Sequence, residues 1–293
     1  MLTVSQFMLG IGFGLVTAAI VALSTVALSL QFSVTRTINF AHGELMTVGA
    51  YAGYLVAQHT SNLVPQALAA VAAGAVLGWV LNWGLLRPFS RRGASKIVLF
   101  VLTIATALIV QNLLQVGFGG SFVDYHYSVG LAHHVGPFLW TTLNIVTMVT
   151  AAVILISLHL MIRRTRFGKA QRAVADDLML ARTTGIAAER IISFTWVLDG
   201  GIAGLAGMFL ALQVGSFTPT LGFGYLLVIF AAAIVGGIGK MYGAMVGSLI
   251  IGIVMEVSAI YINPSYKETM AFLVLVVVLL FRPQGIVPAL SEG

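Results

Sequence analysis

An all-α integral membrane protein, a polytopic bundle of about eight to ten transmembrane helices, is the fold this sequence predicts, and three observations predict it. Of 293 residues, 59% are hydrophobic and only 8% charged, against about 25% charged in a soluble domain. The apolar runs are continuous and long enough for helices to cross a hydrocarbon layer of about 30 Å, whereas barrel strands would alternate. Lys and Arg are shared unevenly among the loops between those runs, as expected where a membrane sorts charge.

In chain order the candidate spans are residues 7–32, 40–57, 63–86, 97–118, 138–162, 191–214, 225–239, 243–261 and 269–281. That makes nine, with eight or ten nearly as well supported. The first run is too long for a cleavable signal and has no basic residue ahead of it, so it reads as a retained span. His42 and Glu44 weaken the second. Residues 225–239 are short enough for a re-entrant or broken helix. No lipidation motif, low-complexity tract or convincing internal repeat is visible. Residues 1–293 therefore read as a single transmembrane domain whose longest polar insertion is the 163–190 loop.

That loop, RRTRFGKAQRAVADDLMLARTTGIAAER, carries seven of the fifteen Lys and Arg residues, and residues 87–96 carry four more. Residues 119–137 carry none. Two spans separate the basic loops, so both are expected in the cytoplasm and 119–137 outside. The alternation puts Arg36, Lys240 and Arg282 inside with the C-terminus, and the uncharged start MLTVSQ outside. Only Lys267, beside Glu268, falls on the other side. The net charge of +6 is then a topology signal and an attraction to anionic lipid, rather than a nucleic-acid footprint.

Several chemistries are excluded by residue type. With no cysteine there is no disulfide, thiolate zinc site or thiol nucleophile. Gly168-Lys169 and Gly239-Lys240 are followed by Ala and Met, and neither has the upstream glycine of a phosphate loop. If nucleotide drives this protein, another chain binds it. His126, His133 and His134 lie near Asp124 without the helical spacing of a metalloprotease, and they read as residues of a hydrated loop. Gly10 and Gly14, Gly200 and Gly204, Ala203 and Gly207, and Gly243 and Gly247 are each one helical turn apart, the pattern of closely packed membrane helices. Gly236, Gly237 and Gly239, clustered before Lys240, point to a tight turn or a moving hinge.

Within the polar loop, residues 170–183 have a helical composition, with Arg172 and Asp176 four apart and Gly185 where a glycine would end the helix. Residues 186–190 begin a second helix. Leu178, Met179 and Leu180, framed by Asp176, Asp177 and Arg182, suit a helix docked in a partner's groove. A loop folded back on its own bundle is the alternative.

The segment RAVADDLMLARTTGI resembles the cytoplasmic coupling loop of the permease subunits of branched-chain amino-acid ABC importers, the LivH-type permeases. INFAHGELMTVGAY, residues 38–51, and AAAIVGGIGKMYGAMVGSLIIGIVME, residues 231–256, are similar to further segments of that family, in the same order. Ala181 and Gly185 also fit the short Ala-x-x-x-Gly core of ABC importer loops, without the Leu-Pro of its fuller form. The resemblance implies a chain without cofactor or catalytic residues, partnered by a second related permease subunit, an extracytoplasmic binding protein and two ATP-binding subunits that hold ATP and Mg. It implies a bacterial inner membrane, and a coupling helix within residues 176–185. Leu178, Met179 and Leu180 would be its apolar contacts, Asp177 and Arg182 its polar ones. Urea and short-chain amide permeases look similar enough to remain an alternative substrate class.

Ionisable groups within a bilayer are costly and therefore functional candidates. Asp199 lies near the middle of its span, Glu256 is deep, and His42 and Glu44 lie nearer one end of theirs. Each of the acids Asp199, Glu256 and Glu44 attracts the ammonium of an amino acid or serves as a structural partner. Asn39, Gln111 and Asn112 are the uncharged candidates for the path. An ion-coupled secondary transporter has only Asp199 and the Gly236–Gly239 run in its favour, and a membrane-embedded enzyme has no nucleophile or metal constellation.

Overall fold

The computed structural model describes residues 4–125 and 130–286. It is almost entirely helical. In chain order the elements are α1 (Val4–Thr35), α2 (His42–Ala57), α3 (Leu63–Val80), a π-helix (Leu81–Leu86), α4 (Arg87–Arg91), α5 (Lys96–Phe118), β1 (Val123–Asp124), β2 (Ala132–Val135) and β3 (Phe138–Thr141). There follow α6 (Thr142–Arg164), α7 (Arg166–Asp176), α8 (Leu178–Thr183), α9 (Ala188–Val214), β4 (Ser216–Phe217), α10 (Leu221–Gly236), α11 (Met241–Tyr261) and α12 (Lys267–Phe281). Among the described residues, seven helical stretches are long and apolar enough to cross a membrane. Helices α2 and α10, with 16 residues each, rise about 24 Å at 1.5 Å per residue and fall short of a full crossing, in line with the weakness of their sequence signal.

Three expectations need correction. The run 138–162 is not helical throughout: Phe138–Thr141 is a strand paired antiparallel with Ala132–Val135, and the helix begins at Thr142. The 119–137 segment is accordingly more than a loop, since Val123–Asp124 also pairs with Ser216–Phe217. Residues 170–183 are two helices rather than one, broken at Asp177.

The chain folds as two compact units. One comprises Met1–Ser29, Ser128–Ile156 and Leu227–Gly293. In it the N-terminal part of α1 packs on α11 through small residues: a Cβ on Gly14 would strike the Ile253 backbone, and one on Gly252 the Ala18 backbone. Gly236 faces Gly243, and Gly247 faces Ala232, so α10 and α11 nearly touch backbones. Between them Gly237 and Gly239 adopt φ of 104° and 85°, which only glycine takes readily, and the turn closes with the Lys240 N–H donating to Gly237 O. Trp140 Nε1 donates to Gly12 O at 3.0 Å and so ties the β3 strand to α1.

The other unit comprises Leu30–Tyr127 and Ser157–Leu226. Its centre is α9, flanked by α2 and α3. Gly74 and Gly78 of α3 lie against Gly200 and the Trp196 carbonyl of α9, while Gly49 and Met46 of α2 lie against Gly204 and Gly207. In lipid there is no hydrophobic drive to bring helices together, so close backbone approach supplies the packing. Helices α2 and α10 begin side by side: Gly43 meets Gly222, and Gly222 N–H donates to Thr47 Oγ1 at 3.1 Å. Tyr125 is buried under this unit and donates to Ala50 O at 3.1 Å. Burial pushes the Tyr125 hydroxyl's pKa up, so it stays a donor.

Candidate functional site

Thr165 begins the polar loop as a helix cap, its hydroxyl accepting from Gly168 N–H at 3.1 Å. Helix α7 ends at Asp177, whose extended backbone (φ −146°, ψ 110°) turns the chain. The same residue starts α8, because its Oδ1 accepts from the N–H groups of Met179 and Leu180 at 2.8 and 3.0 Å. A cap of this kind contributes about 1 kcal/mol. At the other end Gly185 has φ 84°, its N–H donates to Arg182 O, and Ile186 N–H donates to Ala181 O. That pair of bonds is the Schellman closure, and the glycine stands where the sequence places it.

A six-residue helix is unstable alone, so α8 depends on what it packs against. Ala181 is 3% exposed and joins Val34, Val174 and Ala188 in a small core, with Leu178 half-buried against it. Met179 and Leu180 point away, 67% and 61% exposed. The three apolar residues therefore divide, one turned inward and two outward. Of the polar ones, Asp177 is occupied as the cap, and Asp176 is exposed. Arg182 donates to Glu189 Oε1 at 2.6 Å, and Arg87 Nε stands 3.6 Å from Glu189 Oε2. One carboxylate at the start of α9 thus links α8 to α4. Arg172 donates to the Ile162 carbonyl rather than pairing with Asp176. Arg36, at φ 51°, donates to Ala175 O at 2.6 Å and fastens the end of α1 to α7.

The residues singled out for a path do not form one cluster. Asp199 and His42 meet, Oδ1 to Nδ1 at 3.1 Å, with both side chains fully buried. Glu44, also fully buried, lies in the first turn of α2. Asn39 is buried, and its Oδ1 accepts from Ala41 N–H at 3.0 Å. Gln111 is half-buried and Asn112 exposed on α5, and Asn112 donates back to Leu108 O. In the other unit Glu256 accepts from Thr17 Oγ1 at 2.9 Å and from Lys267 Nζ at 2.8 Å with each oxygen. The basic residue that departs from the charge alternation thus has a carboxylate partner. His133 Nε2 lies 3.3 Å from Thr142 Oγ1 on the exposed hairpin, His126 lies outside the described residues, and no metal-binding cluster occurs among the described residues.

Residues that sequence reasoning passed over complete the picture around the loop. Gln31, Asn82, Arg87, Glu189 and Trp196 line the same cleft as Asn39, Leu178 and Arg182. A polar side chain within an apolar run was the available signal for Gln31 and Asn82.

Comparison with known proteins agrees with this architecture. A family profile described as "Branched-chain amino acid transport system / permease component" matches residues 10–279. The chain is 30% identical to the high-affinity branched-chain amino acid transport system permease protein LivH of Salmonella typhimurium and of Escherichia coli, covering 90% of each chain in both cases. It is likewise 30% identical to the permease protein BraD of Pseudomonas aeruginosa, over 93% of each chain. No solved structure matches. With the family profile spanning nearly the whole chain and a helical, multi-pass membrane architecture beneath it, this protein belongs to the branched-chain amino acid transport permease family.

Proposed function

We propose that the chain is a translocation subunit of an ATP-binding-cassette importer for leucine, isoleucine and valine. It sits in a bacterial plasma membrane with its N-terminus outside and its C-terminus and polar loop in the cytoplasm. A related permease subunit completes the path, an extracytoplasmic binding protein delivers the amino acid, and two ATP-binding subunits hold ATP and Mg. No covalent chemistry falls to this chain.

The observation that carries the reading is the presentation of Met179 and Leu180. Two large apolar side chains stand exposed on a helix fixed at both ends by Asp177 and Gly185, which suits a hydrophobic groove on a partner. Closure of the ATPase pair displaces α8, and the Arg182–Glu189–Arg87 chain carries that displacement to the first turns of α9 and α4. The turn at Gly237 and Gly239 serves as a hinge between α10 and α11.

The test is a Met179→Glu, Leu180→Glu double variant. Leu178 stays unchanged because it packs in the chain's own core. An interface anchor is worth about 2 kcal/mol or more, roughly thirtyfold in affinity for each residue. The variant is expected to insert and purify normally, to lose the ATP-binding subunits on co-purification, and to lose leucine uptake in vesicles. Retained co-purification with normal uptake refutes α8 as the coupling element.

A further inference from the structure

Trp79, Trp83, Arg87 and Arg91 recur every four residues towards the end of the continuous helical stretch Leu63–Arg91, so each lies about one turn beyond the last. Trp79 and Trp83 stack, with ring centroids 5.5 Å apart and ring planes within 7° of parallel. They are 47% and 57% exposed, and Val76 and Val80 are exposed beside them. Residues 76, 79, 80 and 83 share one helical face, which makes an apolar strip leading to the arginines.

A groove lies where strip and charge meet, lined by Trp83, Gly84, Arg87, Pro88, Arg91 and Arg92. Glycine weakens a helix, and the earlier glycines of this stretch have a packing reason, since Gly74 and Gly78 lie against the backbone of α9. Gly84 has none. A Cβ there would meet nothing within 4 Å, so the missing side chain leaves the floor of the groove bare. Arg87 faces Glu189, Nε to Oε2 at 3.6 Å. Arg91 and Arg92 are exposed and pair with no carboxylate among the described residues, and residues 87–96 contain no acid. The groove therefore carries two uncompensated guanidiniums at the end of a membrane span.

We infer that this groove binds an anionic phospholipid, with the phosphate held by Arg91 and Arg92 and an acyl chain laid along Trp83 and Trp79. Guanidinium forks match phosphate oxygens, and tryptophan favours the boundary between hydrocarbon and water. A soluble phosphate would use the guanidiniums alone; the indole strip beside them selects a ligand with a hydrocarbon tail. Arg87 lines the groove and also faces Glu189, which Arg182 of α8 grips from its other side. An occupied groove thus abuts the ion-pair chain that reaches α8. The inference stands apart from the importer reading, since it needs only a membrane around the span.

The experiment reconstitutes the full-length chain in phosphatidylcholine vesicles and adds phosphatidylglycerol brominated on its acyl chains, which quenches tryptophan on contact. Brominated phosphatidylcholine is the neutral control. Phosphatidylglycerol is expected to quench more at equal mole fraction, and to saturate. Trp79→Phe, Trp83→Phe should remove that excess, because Trp196 is buried and Trp140 belongs to the other unit. Arg91→Gln, Arg92→Gln is expected to weaken the preference about thirtyfold, at about fivefold for each arginine beside an anionic head group. Gly84→Leu fills the groove without changing any charge and should weaken it severalfold. Arg163→Gln, Arg164→Gln removes two exposed charges at the end of α6 and should leave it unchanged. Equal quenching by the two lipids overturns the proposal. So does an unaltered preference in folded Gly84→Leu, or an equal loss in the Arg163, Arg164 variant, either of which reduces the effect to general surface charge. Relief of the quenching by inorganic phosphate, beyond that given by sodium chloride at the same ionic strength, assigns the guanidiniums to a soluble anion and overturns it as well.

Discussion

Asp199 and His42 offer the sharpest quantitative test, because both side chains are fully buried and Oδ1 and Nδ1 lie 3.1 Å apart. Two magnitudes compete for what a mutation would register. Interhelical polar contacts in membranes measure only about 0.6 kcal/mol on average, since the unfolded chain in lipid also finds partners. Removing the partner of a buried polar group leaves it unsatisfied and costs about 1 to 3 kcal/mol. The second applies here, since α9 is packed through small residues on both flanks and leaves the carboxylate no route to water. His42→Leu is therefore expected to destabilise the chain by about 2 kcal/mol or more. The double variant His42→Leu, Asp199→Leu should recover part of that loss, with a coupling of at least about 1.5 kcal/mol. The assay is reversible unfolding in mixed micelles followed by tryptophan fluorescence, completed as a double-mutant cycle. Losses that add to within about 0.5 kcal/mol would show that the two side chains do not stabilise one another. Asp199→Asn adds the functional arm: reduced uptake at unchanged stability is expected of a carboxylate on the path, and unchanged uptake takes Asp199 off it.

Two further outcomes follow from packing and charge. Gly74→Leu drives a side chain into the Gly200 carbonyl and should cost several kcal/mol, about 3 or more, as overpacking does at a site with no room to yield, whereas Gly84→Leu, which meets open space, should leave the thermal midpoint unchanged. Equal effects of the two substitutions would contradict the close approach of α3 and α9. For orientation, Ser121→Cys is expected to react with an impermeant thiol reagent in intact cells, and Asp176→Cys only after permeabilisation; the reverse pattern inverts the topology.

The apolar runs announced most of the helices because a continuous hydrophobic stretch has few alternatives in lipid. The failures share a cause: they depend on contacts that periodicity does not carry. Phe138 and Trp140 read as the start of a span, yet they stack on one another at 5.0 Å in a hairpin that Gly12 O helps to hold. The break at Asp177 is invisible in a segment of helical composition, since it comes from one side chain capping the next helix. Gly185 was readable because a C-terminal glycine carries its own backbone requirement. Asp199 and His42 were each conspicuous as ionisable residues in apolar surroundings, but nothing in their sequence positions said that they would pair. Leu178 shows the limit most clearly. It is chemically the equal of Leu180 two residues on, and only the packing of α8 on Val34, Val174 and Ala188 separates their roles.

The π-helix at Leu81–Leu86 sets the phase of everything that follows it. In an α-helix successive residues turn by about 100°, so positions five apart point about 140° away from one another. In the wider π turn the N–H of residue i+5 reaches the carbonyl of residue i, as Arg87 N–H reaches Asn82 O here, and the two positions come into line. Asn82 and Arg87 therefore share an azimuth, the one donating to Ser193 Oγ at 2.9 Å and the other standing beside Glu189, two residues one turn apart on α9. Winding the same residues as an ordinary α-helix, with none removed, would put Arg87 about 140° away from Asn82. The stretch behaves like a vernier of one residue, and the meeting of Arg87 with Glu189 is legible only at one setting of it.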